Sequence, residues 1–383
     1  MGTIPRFQMT APTELSDRTR GAMVRQMMSE RDPDFRVLYH RTTDSLKEVF
    51  RTQSDVIIMH GEAILGLEAA LVCLMEEGDK CLTLVSGSYG GGFVQWVRAL
   101  GGHPIEIRVP YNSAIDPADV EKALHEHPDI KLLTLVHCET LSGTVNPTQD
   151  ICPLAKEHGV VSIVDAVTSV GSVETRVEEW GMDVCIVGSQ KCLAAPPGLA
   201  LVSVSEDAWS VMRAKKHPVR YSYLSMLDWK ELWLEGGRFP YDLSVSSVYG
   251  LSEALDQVLE EGLEQVISRH GRAAHACREG IKGMGLELWP ASEEIAAASA
   301  TAVKLPEGVE AAHLCGHMLA KYGVAVTPGF REMEAQLVGV AHMGVTANPM
   351  HIIVALAALE KSLADLGYPT KLGEGVRAAL EVI

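Results

Sequence analysis

Four side chains that could do chemistry on an aldehyde-bearing ring follow short apolar runs in the sequence. Glu62 follows VIIM, Tyr89 follows CLTLV, Asp165 ends VSIVD, and Lys191 comes shortly after VCIV. A lysine amine forms a Schiff base with an aldehyde. An aspartate can keep a pyridine nitrogen protonated, and an aromatic ring can stack on the pyridine face. The set therefore predicts a site for a pyridoxal-type cofactor, with the Schiff base on Lys191.

Glu62 lies where an anion site is expected. In VIIMHGEAILGLEAAL the apolar run ends at His60-Gly61 and passes directly into the first turn of a helix. Backbone N–H groups and the helix dipole at such a junction favour an anion, commonly a phosphate. A carboxylate would repel a phosphate here by roughly 1–4 kcal/mol, whereas it accepts a hydrogen bond from a hydroxymethyl group. At the level of these residues, the reason for a carboxylate in the expected place of a phosphate stays open.

The elements that must position these side chains alternate along the first two thirds of the chain. Segments with helical apolar spacing, such as 118–127 and 146–159, lie between short β-branched runs. The predicted strands are VIIM (56–59), CLTLV (81–85), LLTLV (132–136), VSIVD (161–165), VCIV (184–187) and LALVSV (199–204). Continuous apolar strands that alternate with helices predict an α/β fold with a buried, mostly parallel sheet, whose carboxyl ends gather ligands.

The remaining sequence predicts an arm and a second domain. Residues 1–20 are polar and rich in turn-forming residues, which indicates an N-terminal arm. Residues 21–255 form the predicted large cofactor-binding domain. Residues 256–383 form a smaller C-terminal α+β domain, because they follow long helical runs over 250–285 with one strand-like segment and two further helices.

The composition and net charge of the chain argue against some classes of binding partner and some cellular compartments. The net charge of −17 argues against nucleic acid and anionic membranes as partners. No run of 18 apolar residues occurs, and the N-terminus has no apolar signal segment, so no membrane span or export is predicted. The eight cysteines form no C-x-x-C pair, which predicts reduced thiols, no metal site and a cytoplasmic protein.

The runs GSQKCLAAPPGL, SIVDAVTSVGS and HCETLSGTVNP resemble the class V aminotransferases, in particular the alanine–glyoxylate and serine–pyruvate group. The resemblance spans residues 20–365 approximately. It implies a fold-type-I enzyme of pyridoxal 5′-phosphate (PLP) that acts as a homodimer on small-molecule amine and oxo substrates. It also implies that Lys191 is the Schiff-base lysine, that Asp165 pairs with the pyridine nitrogen, that Tyr89 stacks on the ring, and that Thr140 lies near the ring oxygen.

The stretches HGEAILGLEAA and VPYNSAIDP are similar to a narrower branch of that family, the pyridoxamine–pyruvate aminotransferases. The likeness implies that unphosphorylated pyridoxal or pyridoxamine is a substrate and that Glu62 meets its 5′-hydroxymethyl group. Phe239 and Asp242 occupy the places where the family offers a tyrosine and a threonine to the partner subunit's phosphate. Gln190 is a further side chain expected to contact the cofactor.

One departure from the family concerns the substrate carboxylate. The family binds it with an arginine at the position that matches Gly339, and glycine cannot replace a bidentate arginine–carboxylate pair. The nearby Arg331 is the candidate replacement.

Three other interpretations stay open. PLP could be a bound cofactor of an aminotransferase whose donor or acceptor is not held by the usual arginine. A lyase of the desulfurase kind would need a loop cysteine, and none occurs after Cys315. A protein that binds vitamin B6 without catalysis would have no need of Lys191.

Overall fold

The computed structural model describes residues 6–330 and 333–383. Its strands are β1 (Phe7–Gln8), β2 (Asp55–His60), β3 (Lys80–Val85), β4 (His103–Arg108), β5 (Ile130–Val136), β6 (Cys138–Glu139), β7 (Thr144–Val145), β8 (Val161–Asp165), β9 (Val184–Gly188), β10 (Leu199–Val204), β11 (Ala300–Lys304), β12 (Val324–Ala325), β13 (Thr327–Pro328) and β14 (Leu337–Ala341).

The helices are α1 (Asp17–Met23), α2 (Pro33–Phe50), α3 (Ala63–Leu74), α4 (Ser88–Ala99), α5 (Pro117–Glu126), α6 (Thr148–Glu157), α7 (Glu206–Ala214), α8 (Met226–Asp228), α9 (Val245–Glu261), α10 (Leu263–Gly283), α11 (Ala311–His317), α12 (Pro349–Asp365) and α13 (Glu374–Leu380). Shorter helical turns cover Trp229–Leu234, Glu293–Ile295, Met318–Tyr322 and Gly344–Thr346.

A seven-stranded sheet forms the centre of the larger unit, in the order β2-β10-β9-β8-β5-β3-β4. The pairs from β9 to β4 are parallel, and β10 is antiparallel to both of its neighbours. Every residue of β8, β9 and β10 is buried. Continuous burial explains why these strands are apolar runs without alternation. The predicted α/β fold with a mostly parallel sheet is confirmed.

A second hydrophobic core lies in the C-terminal third of the chain. It combines apolar side chains of α10, α12 and α13 with the antiparallel sheet β11-β14-β13. Met9 packs in this core, so part of the predicted N-terminal arm belongs to the smaller unit. The larger core reaches as far as Val266, and α9 continues to Glu261, so the predicted boundary at residue 255 falls inside a helix.

Two sequence features explain where elements differ from the prediction. The helical run over 250–285 is two helices, because Gly262 has a φ of +87°, in the region that favours glycine. Strand β4 was not predicted, since it is an edge strand with a proline and alternating charged residues, HPIEIR. No helix among the described residues is long and apolar enough to cross a membrane.

Residues 7–13 form a segment, called here the N-terminal strap, that bonds to both units. Strand β1 pairs with β12 of the smaller unit, and the amide of Ala341 donates to the carbonyl of Met9 at 2.9 Å. At its other end, Thr13 donates through its amide to the carbonyl of Gln190 (3.1 Å) and through its hydroxyl to that of Met343 (2.7 Å). The strap therefore joins the two units beside residue 191.

Candidate active site

Two adjoining cavities of about 180 Å³ each lie at the carboxyl ends of the parallel strands. Both are lined by Tyr89, Thr140 and Lys191. The first, called the inner cavity, is also lined by Glu62 and Asp165. The structure thus brings together five of the predicted site residues, because strands that run in the same direction deliver their following loops to one edge of the sheet.

Lys191 lies three residues after the end of β9 and is only partly exposed. Its Nζ has no hydrogen-bond or ion-pair partner within residues 6–330 and 333–383. Burial lowers the pKa of its ammonium group, while the charges of Glu62 and Asp165 oppose that shift. Desolvation favours the neutral amine, which is the form that attacks a carbonyl.

Asp165 is the last residue of β8 and is 5% exposed. Its Oδ1 accepts a hydrogen bond from the amide of Val167 at 3.0 Å, which fixes the carboxyl group at the floor of the inner cavity. Burial raises its pKa to about 6, although the Val167 amide and the charge of Lys191 pull the other way. The group is therefore ionised at neutral pH, at an energetic cost that a positively charged ligand atom would offset.

Tyr89 and Thr140 lie at the wall that the two cavities share. Tyr89 is in the first turn of α4 and is 41% exposed, so one side of its ring is open to a ligand. Thr140 follows β6, and its hydroxyl shares a hydrogen bond of 2.6 Å with that of Thr168. Thr168 in turn donates to the carbonyl of Cys138 (3.2 Å).

Glu62 caps α3 with its own carboxylate. Its Oε2 accepts a hydrogen bond from the amide of Ile64 at 2.9 Å, and its Oε1 accepts one from Nε2 of Gln190 at 2.7 Å. A first-turn amide that would be free to bind an external anion is thus occupied by an internal one. The contact also ties the start of α3 to the residue that precedes Lys191.

Glu139 was missed in the sequence, although it is fully buried beside the site. Its carboxylate accepts hydrogen bonds from the amides of Tyr89 (3.2 Å) and Gly90 (2.7 Å) at the start of α4. Burial raises its pKa to about 7. Two sequence features together could have indicated Glu139, namely an acidic residue in the run HCETLSG and the glycine-rich run GSYGGG. Glycines leave room for a side chain to approach the backbone closely.

Phe239 lines neither cavity of its own protomer, and its contact with the cofactor of a partner subunit stays a prediction. Its ring is 9% exposed and lies in an aromatic cluster of its own protomer, 3.7 Å from Trp233 and 4.9 Å from Tyr39 between ring centroids. An aromatic side chain gains most by such burial, and the sequence match gave no information on its direction. Asp242 is exposed, and its contact with a partner subunit stays a prediction.

Gly339 lies in β14 and lines the second cavity, called here the outer cavity. A Cβ built on it would meet only the carbonyl oxygen of Thr327, at 3.7 Å, so the space is open. The hydroxyls of Thr10 and Thr327 share a hydrogen bond of 2.5 Å at the same cavity. Arg331, the predicted substrate residue, lies outside the described residues.

The residues present fit a pyridoxal-type ring. The inner cavity offers an unpartnered lysine amine, a buried carboxylate and a half-exposed aromatic ring. Eight buried side-chain polar atoms in the described part of the chain have no hydrogen-bond partner, and two of them, Ser88 Oγ and Gln190 Oε1, belong to the chain neighbours of Tyr89 and Lys191. Because buried polar atoms in native proteins are nearly always paired, these two are consistent with a ligand that supplies the missing partners.

Comparison with known proteins adds sequence and structural relatives. Residues 4–343 match the profile of the family described as Aminotransferase class-V. The chain is 42% identical to the pyridoxamine–pyruvate transaminase of Mesorhizobium japonicum, over 94% of this chain and 91% of that protein. It is 31% identical to the serine–glyoxylate aminotransferase of Methylorubrum extorquens, over 96% and 93% of the two chains. The crystal structure of pyridoxamine–pyruvate aminotransferase from Mesorhizobium loti superposes with a TM-score of 0.96 at 40% identity, covering 99% of this chain and 97% of that one.

Proposed function

Since this chain belongs to the class V aminotransferases, we propose that it transfers an amino group between vitamin B6 and a small oxo compound, with the unphosphorylated vitamer as one of its two substrates. The observation that carries the proposal is the pairing of Glu62 with the first turn of α3 and with Gln190. Members of this family depend on PLP. A relative that shares 42% of the sequence is named for pyridoxamine and pyruvate.

The preference for a vitamer without phosphate follows from the charge of Glu62. A phosphate dianion at the start of α3 would have to displace this carboxylate or lie beside it, at a cost of roughly 1–4 kcal/mol. A hydroxymethyl group can instead donate a hydrogen bond to the carboxylate. Glu62 and Gln190 therefore supply the contact that serine, threonine and backbone donors supply to a phosphate.

The remaining site residues have roles that follow from their positions. When bound, a pyridoxal ring supplies an aldehyde and an electron-withdrawing nitrogen. Lys191 Nζ, whose pKa is lowered by burial, is the nucleophile and the base that removes and returns the proton at the reacting carbon. Asp165 holds the proton on the ring nitrogen, Tyr89 covers one ring face, and Thr140 lies near the ring oxygen.

A second candidate function keeps PLP as a bound cofactor. It is favoured by the open space at Gly339, which indicates an amino donor or acceptor that is not held by an arginine at this position. In either case Arg331 is the proposed contact of a substrate carboxylate. Its replacement by alanine should raise the KM of a keto acid and leave that of an uncharged aldehyde unchanged.

We also infer a homodimer in the cytoplasm. All eight cysteines are unpaired and seven of them are buried, which supports a reducing compartment. An apolar groove of about 570 Å³ continues from the cavities along α3 and α4, and it is lined by Ile64, Leu67, Phe93 and Trp96. Ile64 in this groove is 53% exposed. Exposed apolar surface of this kind supports a second subunit at the site, with Asp242 facing its cofactor.

The two candidate functions are separated by the affinity for the vitamers. Purified protein should lose its bound aldehyde absorbance on dialysis and should then bind pyridoxal at least tenfold more tightly than PLP. Absorbance that persists after dialysis, together with tighter binding of PLP, would reject the vitamer as substrate and support the second candidate.

A further inference from the structure

Glu139 is a fully buried carboxylate whose chain neighbours face the site. Cys138 and Thr140, on either side of it, both line the inner cavity. The carboxylate itself points the other way, to the start of α4, where it accepts the amides of Tyr89 and Gly90. Glu139 thus connects the β6 segment, which carries Thr140, to the helix that carries Tyr89.

The chain leaves room for this contact. A Cβ on Gly87 would overlap the carboxyl carbon of Glu139, and a Cβ on Gly90 would lie 2.7 Å from the carbonyl oxygen of Leu84. The helix has no side-chain cap of its own at Gly87. Within the described residues no lysine, arginine or histidine pairs with Glu139. Its ionised form is therefore held by backbone donors and the helix dipole alone.

We propose that Glu139 is a positioning residue for the ring of Tyr89, and that its carboxylate sets the orientation of this ring against the bound vitamer. The proposal rests on the proposed function, because it needs the Tyr89 ring to contact vitamin B6. A side chain in the first turn of a helix takes its direction from the backbone of that turn, and Glu139 holds the amide of residue 89 itself.

The charge of Glu139 is needed for both contacts. An ionised carboxylate accepts two hydrogen bonds, whereas a protonated carboxyl group or an amide presents a donor to one of the two N–H groups. The charged group that faces it is Asp165 on β8. Tyr89 and Cys138 are neutral at pH 7, since their ordinary pKa values lie above 7 and burial raises both further. Ring placement should therefore weaken as the pH falls through the range in which Glu139 takes up a proton.

The chain offers a matched control for this contact. Glu360 on α12 is also buried and accepts two backbone amides, those of Gly373 (3.0 Å) and Gly375 (2.6 Å), at the start of α13. It lines neither cavity. Glu360→Gln removes the same kind of contact in the smaller unit, so it should lower the unfolding temperature without changing vitamer affinity.

The experiment measures the dissociation constant of pyridoxamine, which has no aldehyde, for the full chain and its variants. Glu139→Gln should weaken binding about tenfold, as expected for a lost hydrogen bond to a charged group. Tyr89→Ala should weaken binding at least as much, and the double variant no more than Tyr89→Ala alone. Glu139→Gln should also show a smaller fall in affinity at acidic pH than the wild type does, and the remaining fall should come from protonation of Asp165. If Glu139→Gln does not fold, Glu139→Asp replaces it, with a smaller loss expected.

Three results would overturn the role of Glu139 alone. In the first, Glu139→Gln binds pyridoxamine as tightly as the wild type does, and among the single variants only Tyr89→Ala binds it more weakly. In the second, the losses of the two single variants multiply in the double variant, which shows that Glu139 acts independently of the ring. A Tyr89→Ala variant that binds as the wild type does likewise removes the proposed role of Glu139, because the ring then contributes nothing to vitamer binding. A wild type that does not bind pyridoxamine rejects the proposed function and the role of Glu139 with it.

Discussion

The ionised form of Asp165 is the one that the proposed chemistry needs, yet this form lowers the stability of the folded protein. The pKa of its buried carboxyl group is about 6, above the ordinary value of 3.8. The folded state therefore binds this proton more tightly than the unfolded state does. The stabilisation is complete below pH 3.8 and is lost as the pH rises through about 6. At neutral pH the ionised group costs about 3 kcal/mol.

Asp165→Asn should accordingly make the ligand-free protein more stable by about 1–3 kcal/mol at pH 8, because the amide is not ionised and can still accept from the Val167 amide. The difference should disappear near pH 4. Urea unfolding at both pH values measures it, and turnover of the same variant should fall steeply. Equal stability of the two proteins at pH 8 would contradict the raised pKa.

Lys191→Ala should reduce turnover by several orders of magnitude, since it removes the nucleophile and the proton carrier together. Treatment of the pyridoxal-loaded wild type with borohydride should fix the added mass on residue 191, and mass spectrometry locates it. Lys216→Ala, on the surface, is the control for non-specific labelling. Near-normal transamination by the Lys191 variant would refute the assignment.

The sequence predicted the site residues that lie at the ends of strands. It missed the residue whose side chain bonds only to backbone amides. Asp165 and Lys191 follow apolar strands, so the rule for parallel sheets brought both to one edge. Glu139 gave no such signal, because its partners are main-chain amides and any acid in HCETLSG looks alike in sequence. The inward direction of Phe239 depends on aromatic neighbours distant in sequence.

At the scale of elements, the start of α3 is the place where we expect the form of vitamin B6 to be selected. Glu62→Ser keeps a good N-cap residue, so the helix should remain folded. It removes one negative charge and adds a hydroxyl donor, and it should shift the binding preference from pyridoxal toward PLP by about 1–3 kcal/mol. Dissociation constants of both vitamers for the two proteins test this. An unchanged ratio would assign the carboxylate to helix capping alone.

Elements with strong apolar patterns were predictable, and elements defined by a backbone conformation were not. All six predicted strands exist, since each is a buried run. The break between α9 and α10 depends on the positive φ of Gly262, and a single glycine within a helical pattern does not reveal its φ. Strand β4 pairs along one edge only, so half of its side chains stay polar.

At the scale of the whole molecule, the groove beside the cavities predicts a dimer. Ile64, 53% exposed, lies at the start of α3 in this groove. Ile64→Glu should convert the dimer to monomer and lower turnover, because a charge in an apolar interface is desolvated without a partner. Val37→Glu, at an exposed position on α2 outside the groove, should leave the dimer intact. Light scattering distinguishes the two states, and a fully active wild-type monomer would exclude the shared site.

The sheet order also has a consequence for synthesis on the ribosome. Strand β2 is made first among the seven strands, yet within residues 6–330 and 333–383 it pairs only with β10, which is made last. The register of this pair runs from His60↔Leu199 to Asp55↔Val204. The amide of Gly61 likewise bonds to the carbonyl of Gly198. Until about residue 204 has left the exit tunnel, the apolar strand β2 has no partner in the nascent chain. Gln190 likewise has no fixed position from which to donate its hydrogen bond to Glu62. Translation that stalls between Lys191 and β10 thus leaves a chain that contains every catalytic residue proposed above but cannot close the sheet that aligns them. In this interval the exposed apolar strand is open to misfolding and aggregation.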